Sequence, residues 1–303
     1  MTNQKRYYFN HISTCNMCGS ESSKHKVLGK RLNTSQGRNP KIKIGISTTI
    51  VKCSNCELIY SNPQPVPFDI QDHYGVPPES YWQDIYFKIV DHYFHYEIDR
   101  LKKLNDIREG MKSLDIGAGL GKQMIALSKV GFETYGFEPS KQFHERAISK
   151  MGINPERLKL GMIEDVEYPE NHFDFISFGA VLEHLYDPSE SILKAMKWLK
   201  PNGLIHIEVP SSNWLIAKLV NLYYRLIGTD YVSNLSPMHE PYHLHEFELK
   251  SFQEHSNKHG YEIAFHEYFV CSTYLPKFVD VLLKPIMKWT NTGLQLSIWL
   301  RKK

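Results

Sequence analysis

The stretch Ser113-Leu114-Asp115-Ile116-Gly117-Ala118-Gly119-Leu120-Gly121 decides how this chain is read. It is an apolar strand ending at Asp115, followed by a glycine-rich turn that opens directly into a helix expected near residues 120–130. Glycine reaches backbone angles closed to other residues and lets a ligand lie against the main chain. A helix start adds free N–H groups and the positive end of the helix dipole. Such a turn is built to hold a cofactor. Its G-x-G-x-G spacing differs from the G-x-G-x-x-G of dinucleotide sites.

Three further blocks follow. Phe132 to Phe137 reads as a second strand and ends in Glu138, an acid placed to accept hydrogen bonds from ribose hydroxyls. Phe173-Asp174-Phe175-Ile176-Ser177-Phe178 reads as a strand running into Val181-Leu182-Glu183-His184-Leu185. Leu199-Lys200-Pro201-Asn202-Gly203 reads as a helix stop and turn before the strand Leu204 to Val209.

With LDIGAGLG, GFEPS, FDFISFGAVLEHLYDP and LKPNGLIHIEVP in that order, the chain from about Lys112 onward resembles class I S-adenosylmethionine-dependent methyltransferases. A nicotinamide enzyme is the rival. The resemblance implies that Asp115, Gly117 and Gly119, with Ala118 and Gly121 completing the turn, border the methionine part of the cofactor. It implies that Glu138, followed by Pro139, holds the ribose, and that Met162, Ile163 and Glu164 flank the adenine. Many relatives carry aspartate where this chain has Met162, so the adenine contact falls to Glu164, to Asp165 or to backbone.

The order of blocks predicts an α/β fold: a Rossmann-like, doubly wound, seven-stranded methyltransferase sheet. Strands are expected near 112–116, 132–137, 157–161, 172–178, 203–209, 261–269 and 293–300, and helices near 120–130, 141–151, 188–199 and 248–259. The last strand is expected antiparallel, as in the resembling family. Ligands of such sheets bind beyond the carboxyl ends of the strands, where Asp115, Glu138, His184 and Pro210 fall.

The cysteines are not scattered. Cys15-Asn16-Met17-Cys18 and Cys53-Ser54-Asn55-Cys56 are two C-x-x-C pairs, which read as a Cys₄ zinc site rather than as two disulfides. Two thiolates on one tight turn hold one face of a tetrahedral ion, and a second such turn closes the other. With all four positions taken by sulfur, the Zn²⁺ would be structural, supplying folding energy to a module with little core of its own. Redox dithiols are the rival. Lys41 to Cys53 alternates in the manner of ribbon strands. Cys271 stands alone and reads as a small buried apolar residue.

Three regions follow: a zinc-ribbon module over residues 1–65, a linker and cofactor-covering helix over 66–109, and the methyltransferase domain over 110–303. Residues 1–10 read as a loosely packed tail. Pro63, Pro65 and Pro67 read as an extended linker. Tyr81 to Asn105 reads as one long helix, with Tyr86, Ile89, Val90, Tyr93, Phe94, Ile98, Leu101 and Leu104 on a core-facing stripe. Ribbon plus methyltransferase resembles bacterial enzymes that modify sugars or polysaccharide precursors. CSNCELIYSNPQP, Tyr74 and Tyr81 carry that likeness.

The insert Ser211 to Phe247 holds His239, Glu240, His243, His245 and Glu246. Histidine is suited to take a proton near neutral pH, so His243 or His245 reads as a general base, with His184 a further candidate. A second metal on His239, His243 and His245 with Glu240 or Glu246 is one alternative; helix capping or a solvated surface is another. Segments Trp214–Tyr224 and Tyr274–Trp289 look amphipathic. They suit a lipid-facing surface with peripheral membrane contact, a core contact or a dimer contact.

Lys and Arg total 36 against 33 Asp and Glu, which argues against a nucleic-acid partner. The start, MTNQKRYYFN, lacks an apolar signal segment, and no apolar run nears the ~20 residues of a membrane span, so a cytoplasmic location is expected. The expected activity is S-adenosylmethionine-dependent methylation of oxygen or carbon on a small-molecule acceptor, such as a sugar nucleotide or glycan precursor. The competing reading is a zinc-ribbon binding module whose methyltransferase fold is catalytically secondary.

Overall fold

From Ser113 to Ile116 every side chain is buried, a pattern that suits a strand at the centre of a sheet covered on both faces. The computed structural model describes residues 7–31, 47–69, 83–235, 243–271, 273 and 275–303. Of the sequence readings, Lys41–Ile46, Tyr74, Tyr81, His239, Glu240 and Tyr274 lie outside the described residues.

The N-terminal strands are β1 (Tyr7–Asn10), β2 (Lys26–Arg31), β3 (Thr49–Lys52), β4 (Ile59–Ser61) and β5 (Gln64–Pro67). Next come α1 (His95–Leu104), β6 (Lys112–Ile116), α2 (Lys122–Ser128), β7 (Glu133–Glu138), α3 (Lys141–Met151), β8 (Leu158–Leu160), β9 (Phe173–Gly179) and α4 (Pro188–Trp198). The chain continues through β10 (Leu199–Pro210), α5 (Leu215–Leu226), β11 (Tyr231–Val232), β12 (His245–Glu246) and α6 (Leu249–His259). It closes with β13 (Glu262–Phe269), α7 (Lys277–Trp289) and β14 (Gln295–Arg301).

Seven strands form one sheet in the order β13-β14-β10-β9-β6-β7-β8. β6 pairs in parallel with β7 on one side and β9 on the other, so the winding direction reverses at the carboxyl end of β6. Such a reversal opens a crevice where α/β sheets bind ligands. Backbone bonds join Ser211 to Leu294 and Asn202 to Lys302, so β14 runs antiparallel to β10, as expected. The helices have conventional stops. Ser140 caps α3 and Gly152 ends it at φ 72°, while Glu248 and Ser251 form a capping box on α6.

The chain divides into two compact units. One comprises Met1–Phe68, Leu182–Ser189 and Glu208–Ile298; the other comprises Asp69–Val181, Glu190–Ile207 and Trp299–Lys303. These cut across the three-part division read from the sequence. The cause lies in the first unit. There β2, β3 and β4 are flanked by β11 and β12, giving a five-stranded sheet β11-β2-β3-β4-β12. Tyr60 pairs with His245, and Lys30 with Tyr231. The cysteine-bearing segment therefore shares its sheet with the insert that follows β10.

Three local expectations are corrected. Residues 7–10 are not a loose tail, and Pro65 and Pro67 do not lie in a linker: β1 and β5 pair antiparallel, Tyr7 with Pro67 and Phe9 with Pro65. Proline is tolerated there because a two-stranded sheet is all edge. The long helix is broken: residues 84–87 form a 3₁₀ turn, and α1 begins only after Phe94, whose φ of 60° ends any continuous helix. Leu199–Gly203 is not a free turn but the first part of β10, held by the Lys302 backbone. Of the readings open for α7, the core contact does not apply to Phe278, Val281, Leu282 and Trp289, which are exposed.

Candidate functional site

Beyond β6 the chain turns through Gly117, Gly119 and Gly121, all with positive φ (67°, 54° and 73°). The three do different work. A Cβ on Gly117 would come 2.6 Å from Val181 Cγ2, and one on Gly121 would come 2.6 Å from Ile153 Cγ1, so these positions must be bare for packing. A Cβ on Gly119 would meet nothing within 4 Å. Gly119 is bare toward open space, as a ligand cradle requires.

The cleft at this turn has a volume of about 240 Å³. It is lined by Asp115, the Gly117–Leu120 backbone, Lys122, Gln123, Phe143 and Gly179, with Tyr86 and Tyr93. It therefore occupies the crevice between β6 and β9 that the strand order opens. The two tyrosines come from the stretch read as a core-facing helix stripe. Their spacing correctly marked them as sheltered but did not reveal that a cleft, not a core, shelters them.

Two buried carboxylates brace the turn. Glu138 Oε2 accepts a hydrogen bond from Gly119 N–H at 2.8 Å, and its Oε1 accepts one from Ser140 N–H at 2.8 Å. Asp115 accepts one from Ser177 Oγ at 2.9 Å. Burial pushes both carboxyls up to about 7, against the pull of these donors. Beyond β8, Ile163 is buried, Met162 is half-buried and Glu164 is exposed; Pro139 is half-buried after Glu138. None of Glu138, Pro139, Met162, Ile163 and Glu164 is among the cleft-lining residues.

The other unit brings together two of the three candidate histidines. The rings of His184 and His243 lie edge to face with centroids 4.8 Å apart. Glu183 joins them: its carboxylate and the two imidazoles offer ligand atoms all within 4.8 Å of one another. Glu183 Oε2 is buried without a hydrogen-bond partner, and burial pushes its carboxyl up to about 8. Leu244 N–H donates to Glu183 O at 2.7 Å, tying the segment after β9 to the segment before β12. Such a trio can hold and pass a proton, or could hold a metal ion. The signal for Glu183 was a lone acid inside the apolar block Val181–Leu185.

His245 does not join them. It is fully buried in β12, and burial, then the nearby His184, push its imidazole down to about 3, so it stays neutral. Glu246 is likewise occupied, accepting from Asn234 Nδ2 at 2.6 Å and Leu235 N–H at 2.5 Å. Of the residues read as a second metal site, His239 and Glu240 lie outside the described residues, and His243 groups with Glu183 and His184 rather than with His245 and Glu246. Among the described residues, two sets have metal-binding geometry: Glu183, His184 and His243, and the four paired cysteines.

The four paired cysteines converge. Cys15 Sγ lies 3.5 Å from Cys56 Sγ, and Cys18 Sγ lies 3.6 Å from Cys53 Sγ, with no disulfide. Tetrahedral zinc–thiolate bonds place sulfurs ~3.8 Å apart, so the cluster fits a structural Zn²⁺. Each knuckle ends in a left-handed residue, Gly19 (φ 77°) in the first and Glu57 (φ 65°) in the second. Behind the sulfurs, Tyr60 OH, His25 and Ser20 Oγ form a hydrogen-bonded chain that reaches Cys53 Sγ at 3.1 Å. Supporting bonds of this kind orient metal ligands.

The methyltransferase domain family matches residues 89–264, more than half of the chain. The chain belongs to that family. The methyltransferase domain is of class I, the S-adenosylmethionine-dependent kind, and the bare cradle at Gly119 between two buried carboxylates fits that cofactor. Its relatives include a ubiquinone biosynthesis O-methyltransferase of Bradyrhizobium diazoefficiens, 28% identical over 132 residues, covering 42% of this chain and 49% of the relative. The methyltransferase YcgJ of Bacillus subtilis is 26% identical over 157 residues, covering 50% and 57%. The matches thus span about half the length of each relative. In fold, the methyltransferase resembles a chain from the complex between the Haloferax volcanii Trm112 methyltransferase activator and a methyltransferase. That likeness has a TM-score of 0.52 at 14% identity, over 77% of this chain and 97% of the other. Among the described residues, no helix is long and apolar enough to cross a membrane.

Proposed function

We propose that this protein methylates an oxygen or carbon atom of a small-molecule acceptor, with His184 and His243 taking up the acceptor's proton. The observation that carries the reading is the close pairing of those two rings beside the buried carboxyl of Glu183.

When bound, S-adenosylmethionine supplies a methyl group already activated on a sulfonium sulfur. What remains for the protein is placement, exclusion of water and, for some acceptors, removal of a proton. The glycine turn and Asp115 would hold the methionine end and Glu138 the ribose. Tyr86 and Tyr93, which line the cleft, would keep water from it. Along the chain, His184 follows closely after Val181, the residue that packs over Gly117. A hydroxyl or an acidic carbon must lose a proton during transfer, whereas an amine acceptor has less need of a base. The histidine pair therefore favours O- or C-methylation.

The relative named for ubiquinone biosynthesis O-methylation supports a hydroxyl acceptor. The sugar-nucleotide or glycan-precursor reading rests on the ribbon's likeness to sugar-modifying enzymes and also offers hydroxyls. The test is a transfer assay with labelled S-adenosylmethionine and hydroxyl-bearing acceptors of both classes, run on the native protein and on His243→Gln. Transfer by the native protein that falls in the variant, with cofactor binding unchanged, supports the proposal. Absence of any thermal shift with saturating S-adenosylmethionine would favour the binding-module reading.

A further inference from the structure

Helix α7 packs the wrong way round for a helix in water. Its inward stripe is Val279, Leu283 and Met287, spaced four residues apart. Its outward stripe is Phe278, Val281, Leu282, Pro285, Ile286 and Trp289, spaced three and four apart along one continuous face. Phe278, Val281 and Leu282 are 73%, 72% and 69% exposed, and Trp289 is 85% exposed. A surface helix should show polar residues there. A contiguous exposed apolar face of this kind on a protein surface points to a binding site.

The charges say for what. Lys277, Lys284 and Lys288 lie along one edge of the stripe, while the helix's single acid, Asp280, is engaged by Lys284 at 3.2 Å and by the Thr273 hydroxyl. Helix α5, in the same compact unit, repeats the design. Leu219, Leu222, Tyr223 and Leu226 form an exposed apolar stripe, Lys218 and Arg225 edge it, and the helix contains no acid. The two helices are joined at their ends, with Leu215 N–H donating to Thr292 O and Asn213 Nδ2 donating to Asn291 O, each at 3.2 Å. An apolar stripe with a cationic edge and a tryptophan at one end is what binds in the plane of a lipid interface, stems buried and ammonium groups at the headgroups. A second copy of the same chain would bring lysine edges together without acids to answer them.

We infer that the α5–α7 face docks this protein on an anionic membrane surface, with Leu282 and Trp289 inserted among the lipids and the flanking lysines on the headgroups. The inference stands on these two helices alone and does not depend on which acceptor is methylated.

The test is co-sedimentation of the full chain with vesicles of phosphatidylcholine alone and with phosphatidylglycerol added. Binding is expected to the anionic vesicles and to weaken with salt. Leu282→Asp with Trp289→Asp, both at exposed positions, should abolish it while leaving the melting temperature and S-adenosylmethionine binding intact. Lys277→Glu with Lys288→Glu keeps the apolar stripe and should weaken partitioning by about fivefold or more for each lysine. Folded native protein that stays in the supernatant with both vesicle types overturns the inference. So does a dimer that the Leu282→Asp, Trp289→Asp variant splits, without vesicle binding, since the face would then be a self-association surface.

Discussion

The carboxylate of Glu138 holds the main-chain N–H of Gly119 at 2.8 Å, so the acid that ends β7 grips the middle of the glycine turn. Its other oxygen holds Ser140 at the start of α3. One side chain thus fixes both the cradle and the helix beside it. Glu138→Gln keeps one acceptor oxygen but presents an amide where the other N–H points. We expect it to weaken S-adenosylmethionine affinity by about tenfold, read by calorimetry, with a loss of one good hydrogen bond, ~1–2 kcal/mol, in stability.

The glycines separate packing from binding. Gly117→Ala forces a methyl group against Val181 in a left-handed backbone, and the melting temperature should fall clearly. Gly119→Ala meets open space and pays only the left-handed backbone cost of about 1–2 kcal/mol. Its larger effect should be on cofactor affinity. Thermal denaturation with and without S-adenosylmethionine measures both. Equal loss of affinity and stability in the two variants would contradict the assignment.

Stability should fall as pH rises from about 6.5 to 8. Asp115, Glu138 and Glu246 are raised by burial to about 7 and Glu183 to about 8. In the unfolded chain these carboxyls ionise near pH 4, so across this window folding takes up protons and raising the pH favours unfolding. Below about 6.5 the trend is opposed. His206, His245 and His255, pushed by burial to about 3, stay neutral when folded and are protonated when unfolded. Denaturant unfolding at a series of pH values checks this. Glu183→Gln should flatten the alkaline side by on the order of 2 kcal/mol.

A zinc ion held by the four cysteines would stabilise the unit that contains them. Purified protein should contain one zinc per chain. Cys53→Ser, or prolonged chelation, should lower the melting temperature by about 10 °C. Elemental analysis together with calorimetry settles the point, and full stability without zinc would refute a structural ion.

His243→Gln and His184→Gln should each cut methyl transfer by about 10²–10⁴ without altering cofactor affinity, the usual range for loss of a general base. His245→Gln, buried in β12, should instead show up as a stability loss.

The parallel sheet and its helices were legible because their signals are local. Ser140 and Gly152 bracket α3 where a cap and a left-handed stop belong, and the apolar runs that became β6, β7 and β9 end at the expected acid or glycine. Long-range pairing was not legible. Nothing within Pro65 and Pro67 announces Phe9 and Tyr7 as partners, and proline ordinarily argues against a strand. Tyr86 and Tyr93 carried a helix period, but periodicity tells only that a residue is sheltered. The left-handed turn at Phe94, after which α1 begins, has no signature at a phenylalanine. His243 and His245 looked equivalent as sequence, yet one meets His184 and the other is sealed inside β12.

The pairing of Tyr60 with His245 also sets an order of events during synthesis. The ribosome releases the cysteine knuckles and β4 long before it has made β12, so the early segment waits with an unfilled sheet edge. Zinc captured by the four thiolates at that stage would keep the nascent segment folded and shield reactive sulfur until the later strand arrives.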